Sequence, residues 1–110
     1  MFILGYNKNK QANQSIELFK QIQNPDEVII ILLFNSCAQL KTKAALDLIK
    51  QVAKQIPKSF QSNSYLLTSL LDALMKCGDV QYAETFFQTL TNKILPMYGA
   101  MMKGKTSFNN

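Results

Sequence analysis

Residues 64–90 read SYLLTSLLDALMKCGDVQYAETFFQTL, and this stretch decides the fold of the chain. Apolar residues recur at helical spacing in both of its halves, at positions 66, 67, 70, 71 and 74 and then at 80, 83, 86, 87 and 90. Gly78-Asp79 separates the halves, because glycine ends a helix in the left-handed conformation and aspartate caps the next helix. The pattern predicts a helical hairpin with the small Ala83 buried where the helices cross.

The second half of this hairpin has two counterparts upstream. AETFFQTL at 83–90 matches ALDLIKQV at 45–52 and SIELFKQI at 15–22, each with a small residue first and apolar residues at the fourth, fifth and eighth places. The copies begin at positions 15, 45 and 83, so their average spacing is about 34 residues, the period of helix–turn–helix repeats. Units of this kind stack on their copies. We therefore predict an all-α solenoid, in which Ala45 occupies the place equivalent to Ala83.

Residues 27–40 are the segment in which residue propensity and pattern length favour different structures. The run Val28-Ile29-Ile30-Ile31 is β-branched and favours a strand. The apolar pattern continues to residue 38, too far for an ordinary buried strand, and its neighbours are helical. We predict a helix here, and further helices at residues 2–9, 11–22, 44–56 and from residue 96 onward, with a polar loop at 58–63.

Composition narrows the possible functions. The 110 residues carry a net charge of +5, supplied by lysine alone, which suits an anionic partner such as nucleic acid but also serves solubility. There is no histidine, the acidic residues are scattered, and no glycine-rich phosphate loop is present, so we predict neither an enzyme nor a cofactor or small-molecule site. The longest apolar run, residues 28–34, is too short to span a bilayer, so no membrane partner is expected.

The two cysteines, Cys37 and Cys77, lie in different predicted hairpins. Their separation fits neither a zinc knuckle nor a redox pair, and we predict that both are reduced, unpaired and free of metal. The first ten residues, MFILGYNKNK, resemble neither a signal peptide nor an Arg-rich transit peptide. Because an apolar stripe is already under way at residue 2, we expect the chain to be cut from a longer protein.

Residues 69–104, SLLDALMKCGDVQYAETFFQTLTNKILPMYGAMMKG, resemble a pentatricopeptide repeat array. The segment KCGDVQYAETFF followed by PMYGAMMKG is similar to the short repeat of the mixed-length class, and PDEVIIILLFNSCAQLKTKAALDLIKQV to the long repeat. The resemblance implies a right-handed superhelix with repeats at about 1–26 (truncated), 27–63, 64–94 and 95–110 (truncated). The chain departs from the family at Lys41, where glycine is usual, and is one residue short around Lys43.

The resemblance implies single-stranded RNA binding along the groove of first helices, about one base per repeat, in an organellar RNA-processing or RNA-editing factor, mitochondrial or of another organelle. A residue early in the first helix and the last residue of the repeat read the base edge. By motif, the early positions are Ile31, Thr68 and Gly99, and the final positions are Asp26, Asn63 and Ile94. Of these, Asp26, Asn63 and Thr68 can form hydrogen bonds with a base, whereas the others have no polar side-chain atom. Ile31 also fits core packing.

The average period also fits a tetratricopeptide-like scaffold, whose concave groove binds peptides. The Lys-Cys-Gly-Asp turn at 76–79 and the Pro25-Asp26 junction favour the RNA-binding class. The absence of arginine and the apolar residues at several reading positions argue against strong base-specific recognition of RNA. Protein–protein interaction therefore stays open as the alternative.

Overall fold

A computed structural model describes the backbone of residues 8–109 and the side chains of residues 12–102. Every regular element in that range is helical: α1 Lys8–Lys20, α2 Glu27–Leu40, α3 Lys43–Gln55, a 3₁₀ helix at Lys58–Ser62, α4 Ser64–Lys76, α5 Val80–Thr89 and α6 Leu95–Asn109. The all-α prediction is confirmed, including the helix in the β-branched segment. Across the described residues, no helix has both the length and the apolar content that a bilayer span requires.

The helices are arranged as two layers. α2 and α4, which open the two hairpins, pack side by side with α6 in one row, and α1 packs along α2 at one end of it. Behind the row, α3 packs against α2 and α4, and α5 packs against α4 and α6. Extensive packing therefore joins only elements that are near in sequence, which is the arrangement of an α-solenoid.

The core lies between the two layers and is centred on α4, which packs against α2, α3, α5, α6 and the 3₁₀ helix. Its largest side chains without exposure to solvent include Phe34, Leu70 and Met97. Ala83 and Ala45 are 0% and 3% exposed, so the predicted burial of both small residues is confirmed. Their size lets each second helix come close to the row of first helices.

Both hairpin turns place a left-handed residue at the same distance from the start of the first helix. Gly78 has φ 94° and Lys41 has φ 56°. Gly78 follows the first residue of α4 by the same number of positions as Lys41 follows the first residue of α2. The next residues, Asp79 and Thr42, cap α5 and α3. Lys41 therefore takes the conformation of glycine without changing the spacing of the turn. The expected deficit of one residue around Lys43 lies after the turn, because Ala45 follows Lys41 by four positions whereas the equivalent Ala83 follows Gly78 by five.

Replacing Lys41 by glycine is expected to stabilise the protein by up to about 1 kcal/mol. A left-handed non-glycine residue costs about 1–2 kcal/mol, part of which is offset because glycine loses more backbone entropy on folding. Urea unfolding of Lys41→Gly measures the gain. Lys54→Gly, in the last turn of α3, is the matched control and should lose about 0.5–1 kcal/mol. A Lys41→Gly protein no more stable than the parent would contradict the strain.

Two elements differ from their predictions. α1 is continuous from Lys8, so the predicted break between helices at 2–9 and 11–22 is wrong, because neither glycine nor proline interrupts the chain at Lys10-Gln11. Residues 2–7 of the first of these helices lie outside the described range. The predicted polar loop at 58–63 is largely a 3₁₀ helix, in which the Phe60 N–H bonds the Pro57 carbonyl at 3.0 Å.

Candidate nucleic-acid interface

Two contacts fix the relative direction of α2 and α4. The amide of Asn63, just before α4, donates to the carboxylate of Glu27, the first residue of α2. At the other end, the Cys77 Sγ lies 3.5 Å from the Cys37 carbonyl oxygen and donates to it. The two first helices therefore run parallel with their N-terminal turns side by side. The predicted reading residues belong to, or directly precede, such N-terminal turns.

Ile31 and Thr68 are the fifth residues of α2 and α4. Both are half-buried, and Ile31 packs against the core, as its alternative interpretation suggested. The Thr68 hydroxyl donates to the Ser64 carbonyl oxygen at 2.7 Å. In this conformation the hydroxyl offers its oxygen lone pairs, so Thr68 is suited to accept a hydrogen bond from a base.

Asp26 and Asn63 both cap helices. An Asp26 carboxylate oxygen accepts from the Ile29 N–H at 2.9 Å, and this side chain is exposed. The Asn63 Oδ1 accepts from the Leu66 N–H at 3.1 Å, in a half-buried position. Each residue therefore has a fixed orientation beside the N-terminal turn that it caps.

The remaining two predicted positions differ in their surroundings. Ile94 is half-buried and packs against the core, which leaves it only an apolar contact to offer. Gly99 is exposed on α6, and a Cβ built there would meet nothing within 4 Å. The surface beside Gly99 is thus open to a ligand but contributes no side chain to recognise it.

Sequence analysis missed two exposed side chains, Val28 and Tyr65, which are 63% and 68% exposed. Each is the second residue of a first helix and lies three positions before Ile31 or Thr68, so it shares a helix face with that residue. An exposed aromatic ring at this place is suited to stack on a base. The sequence did contain a signal for Tyr65, because it is an aromatic residue at the second position of a predicted helix and lies three residues before the hydroxyl of Thr68.

Several lysines are engaged by acidic groups. Lys76 pairs with Asp72 at 3.1 Å on α4. Lys50 of α3 pairs with Asp79 and lies 5.1 Å from the centre of the Tyr82 ring, linking two second helices. The hydrogen bond between them raises the pKa of Lys50 and lowers that of Asp79. These paired lysines contribute less than free ones to the attraction of phosphates.

The thiols are held in apolar surroundings at the C-terminal ends of α2 and α4. Burial, with a smaller contribution from Cys77, raises the pKa of Cys37 to about 12. Burial also raises the pKa of Cys77. Both shifts disfavour the thiolate, which is the form that binds metal and reacts. Within the described part of the chain, no group of three or more His, Cys, Asp or Glu residues is placed to hold a metal ion.

Cys37 is expected to resist alkylation in the native protein. With its pKa at about 12, only about one thiol in 10⁴ is ionised at pH 8. Iodoacetamide labelling followed by mass spectrometry should therefore modify Cys77, which is half-buried, before the fully buried Cys37, and both equally fast in guanidinium chloride. Native recovery of stoichiometric zinc or of a Cys37–Cys77 disulfide would contradict the predicted free thiols.

A row of first helices backed by second helices defines a helical-repeat protein of the helix–turn–helix class. No family model matches the chain. A chloroplastic pentatricopeptide repeat-containing protein of Arabidopsis thaliana is 30% identical over 105 residues, covering 91% of this chain and 17% of its own length. Another pentatricopeptide repeat-containing protein of the same plant, whose name gives no organelle, is 34% identical over 96 residues, covering 84% of this chain and 11% of its own length. A mitochondrial one is 28% identical over 106 residues, covering 93% and 15%.

These relatives match nearly the whole described range, and their repeats account for the layered helices. The chain therefore belongs to the pentatricopeptide repeat family. It spans 11–17% of the length of these three relatives.

Proposed function

We propose that this segment binds single-stranded RNA along the row formed by α2, α4 and α6. The observation that carries the proposal is the side-by-side placement of the N-terminal turns of α2 and α4, joined by the Asn63–Glu27 hydrogen bond. Around it lie the exposed Val28 and Tyr65 and the acceptor oxygen of Thr68. Stacking surfaces beside fixed polar groups are what recognition of an unpaired base requires.

The repeat boundaries belong to this proposal. The first helices begin at Glu27, Ser64 and Leu95, so the repeat that begins at Glu27 is longer than the repeat that begins at Ser64. We assign repeats to 27–63 and 64–94, flanked by partial repeats at about 1–26 and 95–110, as alternating long and short units of the mixed-length class. Half of the six-residue difference in length falls in the second helices, where α3 has 13 residues and α5 has 10, and the other half falls in the segments that follow them, residues 56–63 and 90–94. Each repeat would then face one base.

The names of three relatives support a proposal about the location of the protein. Their names assign them to chloroplasts or mitochondria, and we propose an organellar location and a part in RNA processing or editing for the protein that contains this segment. The sequence contains no histidine, so the metal-activated water of a histidine-containing zinc deaminase cannot be formed from these residues. We propose that the segment contributes binding and not catalysis.

Titration of short RNA homopolymers at several salt concentrations tests the proposal. We expect weak binding with little base preference, because each complete reading pair, Ile31 with Asn63 and Thr68 with Ile94, has one apolar member. Lysine–phosphate contacts supply most of the attraction, and neutralising about three phosphates gives a log–log salt slope near −2. Tyr65→Ala should weaken binding by roughly 5- to 150-fold, since base–aromatic stacking is worth about 1–3 kcal/mol. Tyr82→Ala, in the outer layer, is the matched control.

One result would count against the reading positions and another against RNA binding. A strong preference for one homopolymer that survives high salt would show that the reading positions are misassigned. Absence of RNA binding at low salt, together with binding of a peptide in the groove, would favour the tetratricopeptide-like scaffold. The exposed apolar side chains Val28 and Leu32, 63% and 54% exposed, are the contacts that such a peptide would use.

A further inference from the structure

Both ends of the Asn63 amide are occupied. The Oδ1 accepts from the Leu66 N–H at 3.1 Å, and the Nδ2 donates to the Glu27 carboxylate. Glu27 and Asn63 are half-buried, so water competes less for these hydrogen bonds than at the open surface. The contact joins residues 36 positions apart, which are the first and the last residues of one assigned repeat.

The chemistry of the two partners allows only one orientation of this amide. A backbone N–H can only donate, and a carboxylate can only accept. Rotating the Asn63 amide by half a turn would place its Oδ1 against the Glu27 carboxylate and its Nδ2 against the Leu66 N–H, and both hydrogen bonds would be lost. The amide nitrogen keeps a second hydrogen beyond the one that Glu27 accepts.

We propose that Glu27 is a positioning residue that fixes the Asn63 amide so that it presents an N–H donor to the nucleobase. The ligand atom that fits is a carbonyl oxygen or an unprotonated ring nitrogen of the base. The inference rests on the proposed RNA binding and adds the polarity of one base contact to it. Glu27 itself needs no contact with RNA, since it acts through Asn63.

The hydrogen bond between Glu27 and Asn63 has no counterpart at the next repeat junction. There the equivalent residues are Ile94 and Ser64. Isoleucine has no polar side-chain atom, so no such link can form and no donor is presented. Among the described residues, the repeat at 27–63 is therefore the one in which the side chain of the first residue holds the base-reading side chain of the last residue.

The coupling predicts a charge conflict in Asn63→Asp and its relief in a double variant. Aspartate still caps α4, but its carboxylate faces that of Glu27, and we expect the melting temperature to fall by about 4–8 °C. In Glu27→Gln/Asn63→Asp the glutamine amide donates to the aspartate, and the melting temperature should recover most of this loss. Equal melting temperatures for the single and double variants would overturn the coupling.

Nuclear magnetic resonance of the side-chain amides tests the positioning without RNA. Glu27→Ala should move the Asn63 side-chain NH₂ signals, whereas Glu17→Ala, at an exposed ion pair on α1, should leave them in place. Unmoved Asn63 signals in Glu27→Ala would overturn the positioning role. This result stands whether or not RNA binds, so it separates failure of the inference from failure of the proposed function.

The relative affinity for two bases tests whether residue 63 acts as a hydrogen-bond donor to the base. Residue 63 presents a donor in the parent and an acceptor in Glu27→Gln/Asn63→Asp, so the ratio of oligo(U) to oligo(A) affinity should change by at least about fivefold in the double variant, because adenine has an amino donor where uracil has a carbonyl acceptor, and an acceptor ring nitrogen where uracil has an N–H donor. An unchanged ratio with RNA bound would overturn the reading role of Asn63. Absence of RNA binding by the parent and by every variant would overturn the proposed function instead.

Discussion

Leu70→Ala is expected to lower the free energy of unfolding by about 2–5 kcal/mol, because truncating a buried leucine removes apolar contacts and leaves a cavity. Leu70 is fully buried in α4, the helix that packs extensively against every other described helix except α1. Urea unfolding followed by circular dichroism measures the loss. The effect is large relative to the total stability of a domain of this size.

The matched control is Leu95→Ala at the start of α6. Leu95 is 82% exposed, and its truncation should change the free energy of unfolding by no more than about 0.5 kcal/mol. Similar losses for the two variants would show that α4 is not the centre of the core. A large loss at Leu95 alone would mean that this side chain is covered in solution.

Ala83→Leu is expected to cost about 1–3 kcal/mol by overpacking the core. Ala83 has no solvent exposure, so three added carbon atoms must displace α5 from the row of first helices or force strained rotamers. Thermal melts compare this variant with Ala44→Leu, a substitution of the same kind at an exposed position of α3. A melt of Ala83→Leu that matches the parent would show that the second helix has room to move outward.

The architecture could be predicted because its signals are local. Gly78-Asp79 marks a turn that the structure forms with the Gly78 N–H bonded to the Met75 carbonyl at 3.1 Å and the Asp79 N–H to the Leu74 carbonyl at 3.1 Å. The helical length of the apolar pattern outweighed the β-branched run in α2, because tertiary packing overrides a weak propensity. Burial of Ala83 and Ala45 followed from the same periodicity.

Other features could not be predicted because they depend on packing or on an unusual residue. Lys41 adopts a left-handed conformation that its side chain disfavours, and only the spacing of the turn, set by α2 and α3, requires it. The Glu27–Asn63 contact crosses 36 positions and leaves no local pattern in the sequence. The exposure of Tyr65 could be recognised only once the opposite face of α4 was known to be buried.

The packing of each helix against near neighbours in sequence has a consequence for the order of folding. Chains dominated by short-range contacts lose little loop entropy before packing is gained, so this segment should fold quickly, on the microsecond-to-millisecond scale. Unfolding does not have to be simultaneous along such a chain, since the terminal helices have a neighbour on one side only. α4 has a neighbour on each side in the row and two helices behind it, so its backbone amides should exchange with solvent last. The segment should therefore unfold from its ends inward.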